Sequence, residues 1–217
     1  MPIQFIENPC SESICAVWHI TENMDFFLKN IDLTTCPGFT MVHHPAKQLQ
    51  WLASRMLVKV LVEEYWHQPF EGLFNDAYGK PWLRNNKGHV STSNSSLIAT
   101  AILHRTKAVG IDIELIKPKI ALIASKFLTP NEEAFLGTNI AVLTAAWCFK
   151  ELVYKIHGIG NISLKDHIAL QPFEIYNPDG IATATLNVSM SHHFQLKYIQ
   201  INGYMLAYNY YINATNP

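Results

Sequence analysis

The sequence predicts an α+β protein built as two halves of similar size, each passing from helix to strand. Three observations predict it. Two long helical patterns lie far apart, at Pro45–Trp66 and Ile140–His157; three β-rich runs separate them; and further β-rich runs follow the second. The chain has 217 residues, more than one average domain, so one large or two small domains are expected. Apolar residues make up 49% and charged residues 15%, a balance that can close a real core.

Each element has its own warrant. From Pro45 to Trp66, Leu49, Leu52, Ala53, Met56, Val60 and Leu61 recur at helical spacing, and Pro45 sits where a first turn tolerates it. Between Phe70 and Gly88 the punctuation of Gly72, Asn75-Asp76, Tyr78-Gly79-Lys80-Pro81 and Asn85-Asn86 predicts loop. The runs HVSTS, LIATAIL and AVGIDIEL, between His89 and Leu115, are rich in β-branched and apolar residues and predict strands. Thr129-Pro130-Asn131-Glu132 reads as a helix start, with acidic residues near the positive end of the dipole. Ile140–His157 is a long helix closed by Gly158 and Gly160, and strand-like segments follow around His167–Tyr176, Ile181–Val188 and Phe194–Tyr211. The order is helices then strands, twice over. The halves meet near Lys107–Gly110, giving domains 1–107 and 108–217.

Composition excludes several classes of function. The net charge of −1 supplies no field to attract nucleic acid. The N-terminus, MPIQFIENPCSES, shows no basic region followed by an apolar run, and no apolar run approaches the roughly 18 residues of a membrane span. A cytoplasmic protein without a membrane partner is expected. The four cysteines, Cys10, Cys15, Cys36 and Cys148, form no CxxC pair and read as reduced, partly buried thiols.

Three constellations carry candidate chemistry. In Gly110-Ile111-Asp112-Ile113-Glu114, strand alternation points Asp112 and Glu114 together. Two adjacent carboxylates repel and call for a cation, and Mg²⁺ suits one or two carboxylates with phosphate oxygens and water; alone, the pair is a weak signal that reads more readily as an ordinary strand with an exposed polar face. In Trp147-Cys148-Phe149-Lys150-Glu151-Leu152-Val153-Tyr154-Lys155, a spacing of four puts Trp147, Glu151 and Lys155 on one side of a helix. That arrangement suits a phosphate, its metal and an incoming hydroxyl, but also describes a common surface pair worth about 0.2–0.5 kcal/mol. In Tyr78-Gly79-Lys80-Pro81-Trp82, followed by Val90-Ser91-Thr92-Ser93-Asn94-Ser95, a lysine between Gly and Pro precedes a run of hydroxyl and amide donors suited to phosphate, or simply a turn and a polar strand end.

In this order the three motifs resemble the 4′-phosphopantetheinyl transferase family, in particular its larger, two-halved, surfactin-synthetase-activating type. The resemblance rests on the GKP loop, the SxSxS strand end, GIDIE, and WxxKE followed by xxxK and GxG, with LQWLASR around Leu49–Arg55 like the family's CoA-facing helix. It spans roughly residues 45–165.

The resemblance implies a pseudo-dimer of two α+β halves with the active site in the cleft between them, able to work as a monomer. It implies transfer of 4′-phosphopantetheine from coenzyme A to a serine of an acyl or peptidyl carrier protein, with adenosine 3′,5′-bisphosphate leaving. Asp112, Glu114 and Glu151 would hold Mg²⁺ (or Mn²⁺), and Lys150 and Lys155 would face phosphate charge. Arg55 and Lys80, in the Gly79-Lys80-Pro81 turn and helped by Lys47, would meet the nucleotide end; Ser93 and Asn94 would meet the pyrophosphate. Glu151, directly or through an oriented water, would take the serine proton, and Lys155 would balance developing charge.

Two departures stand out: Asn94 replaces the family's usual histidine, and Ile159 lies where a basic residue is common between the glycines. Two rivals stand beside this reading. A metal-dependent nuclease lacks the basic stripe it would need; a non-catalytic CoA- or carrier-binding relative, or a catalytically weak one, draws on Asn94.

Overall fold

The chain opens on a β-hairpin, β1 (Ile3–Cys10) against β2 (Ser13–His19), and not on a helix as the sequence order suggested. Two features hide these strands. In β1 Ile6 faces out while Glu7 turns partly inward, breaking the apolar–polar alternation; β2 is buried nearly throughout and has no alternation to show. These elements come from a computed structural model, which describes residues 3–84, 88–176 and 178–210 and divides into two units, Met1–Val109 and Gly110–Pro217.

In the first unit α1 (Met24–Asn30) is capped by Asn23, whose side chain accepts from the Phe26 amide. Helix α2 (Pro45–Val60) starts on Pro45 as expected and finishes in a π-helical turn, Leu61–Tyr65. Its Leu52, Ala53, Leu57 and Val58 are buried against Ile14, Ala16, Trp18, Ala101 and Leu103. The stretch expected as loop holds β3 (Leu73–Asn75) and β4 (Pro81–Leu83), three residues each and too short to show a period; Asn85 and Asn86 lie outside the described residues. With β5 (His89–Ser95) and β6 (Ile98–His104) they complete an antiparallel sheet ordered β1-β2-β6-β5-β4-β3.

The second unit begins with β7 (Ile111–Leu115), a 3₁₀ turn at Pro118–Ile123 and the short α3 (Ala124–Phe127). Helix α4 (Pro130–Leu136) carries a full capping box: Thr129 Oγ1 accepts from the Glu132 amide, and the Glu132 carboxylate accepts from the Thr129 amide. Helix α5 (Ile140–His157) has the expected bounds, with Asn139 as its N-cap and Gly158 left-handed at φ 70° just past its end.

A short α6 (Leu164–His167), capped by Ser163, takes the start of the expected strand 167–176, which reduces to β8 (Ile168–Leu170). β9 (Asp179–Asn187) follows, and the segment from Phe194 splits into β10 (Ser191–Ile201) and β11 (Tyr204–Tyr210). Asn202 and Gly203, both at positive φ (49° and 82°), make the two-residue turn between them; Tyr211 lies outside the described residues. The sheet runs β7-β11-β10-β9-β8, antiparallel throughout. The described residues thus form a mixed α+β structure of two sheets and six α-helices, and none of these helices is long and apolar enough to cross a membrane.

Candidate active site

Gly110 decides how the second unit's charged residues meet. A Cβ built on it would lie 2.2 Å from the Leu152 carbonyl oxygen and 2.8 Å from Ile156, so only glycine lets α5 lie this close to β7. Asp112 and Glu114 share strand parity with Gly110 and therefore project on the α5 side. The sequence pairing of the DxE strand with the WxxKE helix becomes a contact here. Lys155 Nζ lies 2.7 Å from Asp112 Oδ1 and donates to the Ile111 carbonyl at 3.0 Å.

Glu151 stands one turn before Lys155 in the same field. Burial pushes its carboxyl pKa up, Asp112 and Glu114 push it further, and Lys155 opposes them. The buried Cys148 thiol registers the same charges. Burial raises its pKa well above the ordinary thiol range, with Asp112 and Glu114 adding to the rise, and its Sγ lies 3.6 Å from the Met205 carbonyl. Asp112, Glu114, Glu151 and Lys155 are thus coupled electrostatically. Cys148 beneath them was not legible as part of this site, because it reads as one more helix-core residue.

By chemistry alone the donor set suits a hard divalent cation: three carboxylates, of which Asp112 is buried and Glu151 is destabilised by the other two. Lys155 supplies positive charge at Asp112 in this arrangement. As the side chains stand, the described residues include no group of three His, Cys, Asp or Glu side chains gathered closely enough to hold a metal.

Lys150 requires a correction. Expected to face phosphate, it is completely buried. Its Nζ donates to Glu132 Oε2 at 2.8 Å, the Leu164 carbonyl at 3.1 Å and the Ile168 carbonyl at 2.7 Å. Those acceptors use all three ammonium protons, and Glu132 Oε1 in turn accepts from the Leu170 amide at 3.0 Å. Burial lowers the Lys150 pKa, with Glu132 opposing. Lys150 is an anchor between α5, α4 and the α6–β8 corner. The signal for its partner was present in the sequence as the Thr129-x-x-Glu132 helix start.

In the first unit Arg55 on α2 is 7% exposed, with its guanidinium 3.9 Å from the centre of the Trp51 ring. Burial brings its pKa down to about 10, so it remains cationic. Nη2 has only a long contact of 3.4 Å to Asn75 Oδ1, and Nε is buried with no hydrogen-bond partner among the described residues. Asn75 Nδ2 donates to the Gly79 carbonyl, linking Arg55 to the turn that holds Lys80. That turn is built by Asp76, whose Oδ1 accepts from the Tyr78 and Lys80 amides while Oδ2 accepts from Trp82 Nε1. Gly79 supplies φ 84° and Pro81 opens β4. Lys80 Nζ stands 5.4 Å from the Trp82 ring centre, and burial lowers its pKa against the pull of Asp76.

Lys47 is exposed on the first turn of α2. Ser93 and Asn94 are consecutive on β5, paired with Thr100 and Ala99, so their side chains point to opposite faces. Their joint contact with one pyrophosphate, expected from the strand-end motif, does not follow from this backbone. Asn94 shares the parity of Val90, which packs into the α2 core.

A cavity of about 190 Å³ adjoins Glu114, between the end of β7, the 3₁₀ turn and the first half of α5. Trp147 walls it, held edge-on to Phe127 at 5.1 Å. Periodicity alone did not reveal it, since its walls come from three elements separated in sequence.

Residues 108–209 match the model of the 4′-phosphopantetheinyl transferase superfamily. No curated protein matches the chain.

Proposed function

We propose that this protein transfers the 4′-phosphopantetheine group of coenzyme A to a serine of an apo acyl or peptidyl carrier protein, releasing adenosine 3′,5′-bisphosphate. One observation carries the reading: α5 brings Glu151 and Lys155 to Asp112 and Glu114 on β7, within the segment that matches the superfamily. Arg55 and Lys80 in the first unit would serve the nucleotide end of coenzyme A. The protein would act as a cytoplasmic monomer.

Asp112, Glu114 and Glu151 would hold Mg²⁺ or Mn²⁺, which would neutralise charge at the pyrophosphate. Glu151, its carboxyl pKa already raised by burial, is suited to accept the proton of the carrier serine. Lys155 offers charge to the phosphate oxygens once Asp112 is engaged elsewhere. Arg55 and Lys80 hold the nucleotide end by charge and stacking. The residues form no covalent intermediate; they position and neutralise.

Intact-mass spectrometry of several apo carrier proteins, incubated with this protein, coenzyme A and Mg²⁺, tests the proposal. A gain of one phosphopantetheinyl group is expected, and unchanged mass on every carrier would refute it. A second reading, a relative that binds without turnover, draws on Lys155 already occupying Asp112. Coenzyme A binding without any mass gain would establish it.

A further inference from the structure

We propose, resting on the reading above, that Asn209 is a positioning residue for the transfer: it acts through Gly110 to hold Asp112 and Lys155 in register and touches no reacting atom itself. Asn209 Oδ1 accepts from the Gly110 amide at 2.8 Å, and the Asn209 amide donates to the Gly110 carbonyl at 3.3 Å. The β7–β11 register ends at Ile111 and Tyr208. Asn209 carries the pairing one residue further, with its side chain where a backbone carbonyl would ordinarily accept. Both polar groups of the Gly110 backbone are thereby held by one residue.

Residue type and place both point to this role. Asparagine is a poor strand former, and Asn209 is 2% exposed on a strand whose Met205, Leu206, Ala207 and Tyr208 are completely buried. Its Nδ2 is buried with no hydrogen-bond partner among the described residues, so half of the amide is desolvated without compensation. An apolar residue would suit this core better if the strand end needed no hold. The hold bears on the step from Gly110 to Asp112. Ala207 stands opposite Asp112, and Asn209 shares its parity, which places Asn209 on the α5 face of the sheet. β7 is the last strand of that sheet, with β11 beside it. Backbone groups alternate between the two edges of a strand, so Gly110 faces β11 and Ile111 faces away from it. Lys155 takes the Ile111 carbonyl on that open side at 3.0 Å and Asp112 Oδ1 at 2.7 Å. The start of β7 is gripped from both edges, by Asn209 and by Lys155. Releasing Gly110 would let Asp112 shift against Glu151 and Lys155, which ride on α5.

Asn209→Leu removes the acceptor at similar size, whereas Asn209→Asp keeps it. Urea unfolding of the full chain, with Lys155→Ala and Asp112→Asn made singly and together, measures the coupling between Lys155 and Asp112 in wild type and in each Asn209 variant. That coupling should fall below about half of its wild-type value in Asn209→Leu and stay above about half in Asn209→Asp. In transfer assays with Mg²⁺, Asn209→Leu should lower kcat about tenfold or more, with KM for coenzyme A within about twofold of wild type, and Asn209→Asp should recover part of the kcat. Asn209→Ala takes the place of Asn209→Leu if the latter does not fold. Unchanged coupling or unchanged kcat without the acceptor, or equal losses of coupling in both variants, overturns the inference. Failure of all three variants to fold overturns it too, since Asn209 would then serve stability alone. The coupling is read without substrate, so a wild-type protein that modifies no carrier overturns the functional reading whatever the coupling shows.

Discussion

Lys155 Nζ sits 2.7 Å from Asp112 Oδ1 and 3.0 Å from the Ile111 carbonyl oxygen, tying the last turn of α5 to the first residues of β7. The pair is largely out of water, with side-chain exposures of 26% for Lys155 and 5% for Asp112. Lys155→Ala would leave a buried carboxylate without its counterion, a loss of about 1–3 kcal/mol after allowance for the exposure of the lysine. Urea unfolding should show that loss, and Asp112→Asn in the same chain should recover most of it. Additive losses in the double variant would mean that the two groups do not interact.

Glu151 makes a prediction of opposite sign. Its folded pKa is raised, so above that pKa the folded state bears a charge that it holds less comfortably than the unfolded chain does. The penalty is fully present above the raised folded pKa and disappears below the unfolded value near 4.5. Glu151→Gln should therefore melt higher than wild type at pH 7, equal it near pH 4, and lose transfer activity. Mg²⁺ should raise the melting temperature of wild type more than that of Glu151→Gln. Equal Mg²⁺ responses would remove Glu151 from the metal set.

The same pair of segments shows how far the sequence reaches. The DxE strand and the WxxKE helix were legible because strand parity and helical spacing each fix which side chains share a face. Their meeting was not legible from periodicity, because Gly110 acts through a close approach that leaves no periodic trace. Lys150 was misread for a related reason. Residues 150, 151 and 155 look alike in a motif, but 150 lies about 100° around the helix from 151 and faces the core, where Glu132 waits. Ser93 and Asn94 were grouped by composition and are separated by the pleat. The opening hairpin escaped because β2, buried on both faces, has no polar beat, and β1 turns Ile6 out and Glu7 partly in.

Lys150→Met should destabilise the protein by about 3–5 kcal/mol, since Glu132 would remain buried with its charge uncompensated. Its effect on coenzyme A should be small in whatever fraction stays folded. A variant of wild-type stability with a greatly raised KM for coenzyme A would return Lys150 to the phosphate site.

Gly110→Ala probes the approach of α5 to β7 without removing any charged group. The added methyl would meet a backbone oxygen at 2.2 Å, and a backbone cannot rotate away as a side chain can. We expect a loss of about 1–3 kcal/mol from overpacking and a fall in transfer activity larger than that stability loss explains, because Glu151 and Lys155 move with the helix. If Arg55 and Lys80 hold the nucleotide end as proposed, titration calorimetry with adenosine 3′,5′-bisphosphate should still show binding. Full transfer activity in Gly110→Ala would mean that the spacing of α5 and β7 does not set the chemistry.

The two ends of coenzyme A should separate in kinetics. Arg55 is buried, stacked on Trp51 and short of hydrogen-bond acceptors, and the Lys80 backbone is fixed by the Asp76 turn; under the proposed function both would hold phosphate that does not react. Contacts of that kind are the same in ground and transition states, so losing them raises KM and leaves kcat nearly unchanged. Arg55→Ala and Lys80→Ala should each raise KM for coenzyme A by about tenfold, as loss of a charge-assisted contact worth about 1.5–3 kcal/mol implies. Lys155→Ala should instead lower kcat, because the charge it balances develops only as the phosphate is transferred. Arg55 also supports its own surroundings through Trp51, so Arg55→Lys is the sharper variant: it keeps a charge but loses the planar stack, and should recover only part of the KM. Steady-state kinetics at saturating carrier protein separate these effects. If Arg55→Ala and Lys80→Ala lowered kcat and left KM alone, the nucleotide end of coenzyme A would lie elsewhere.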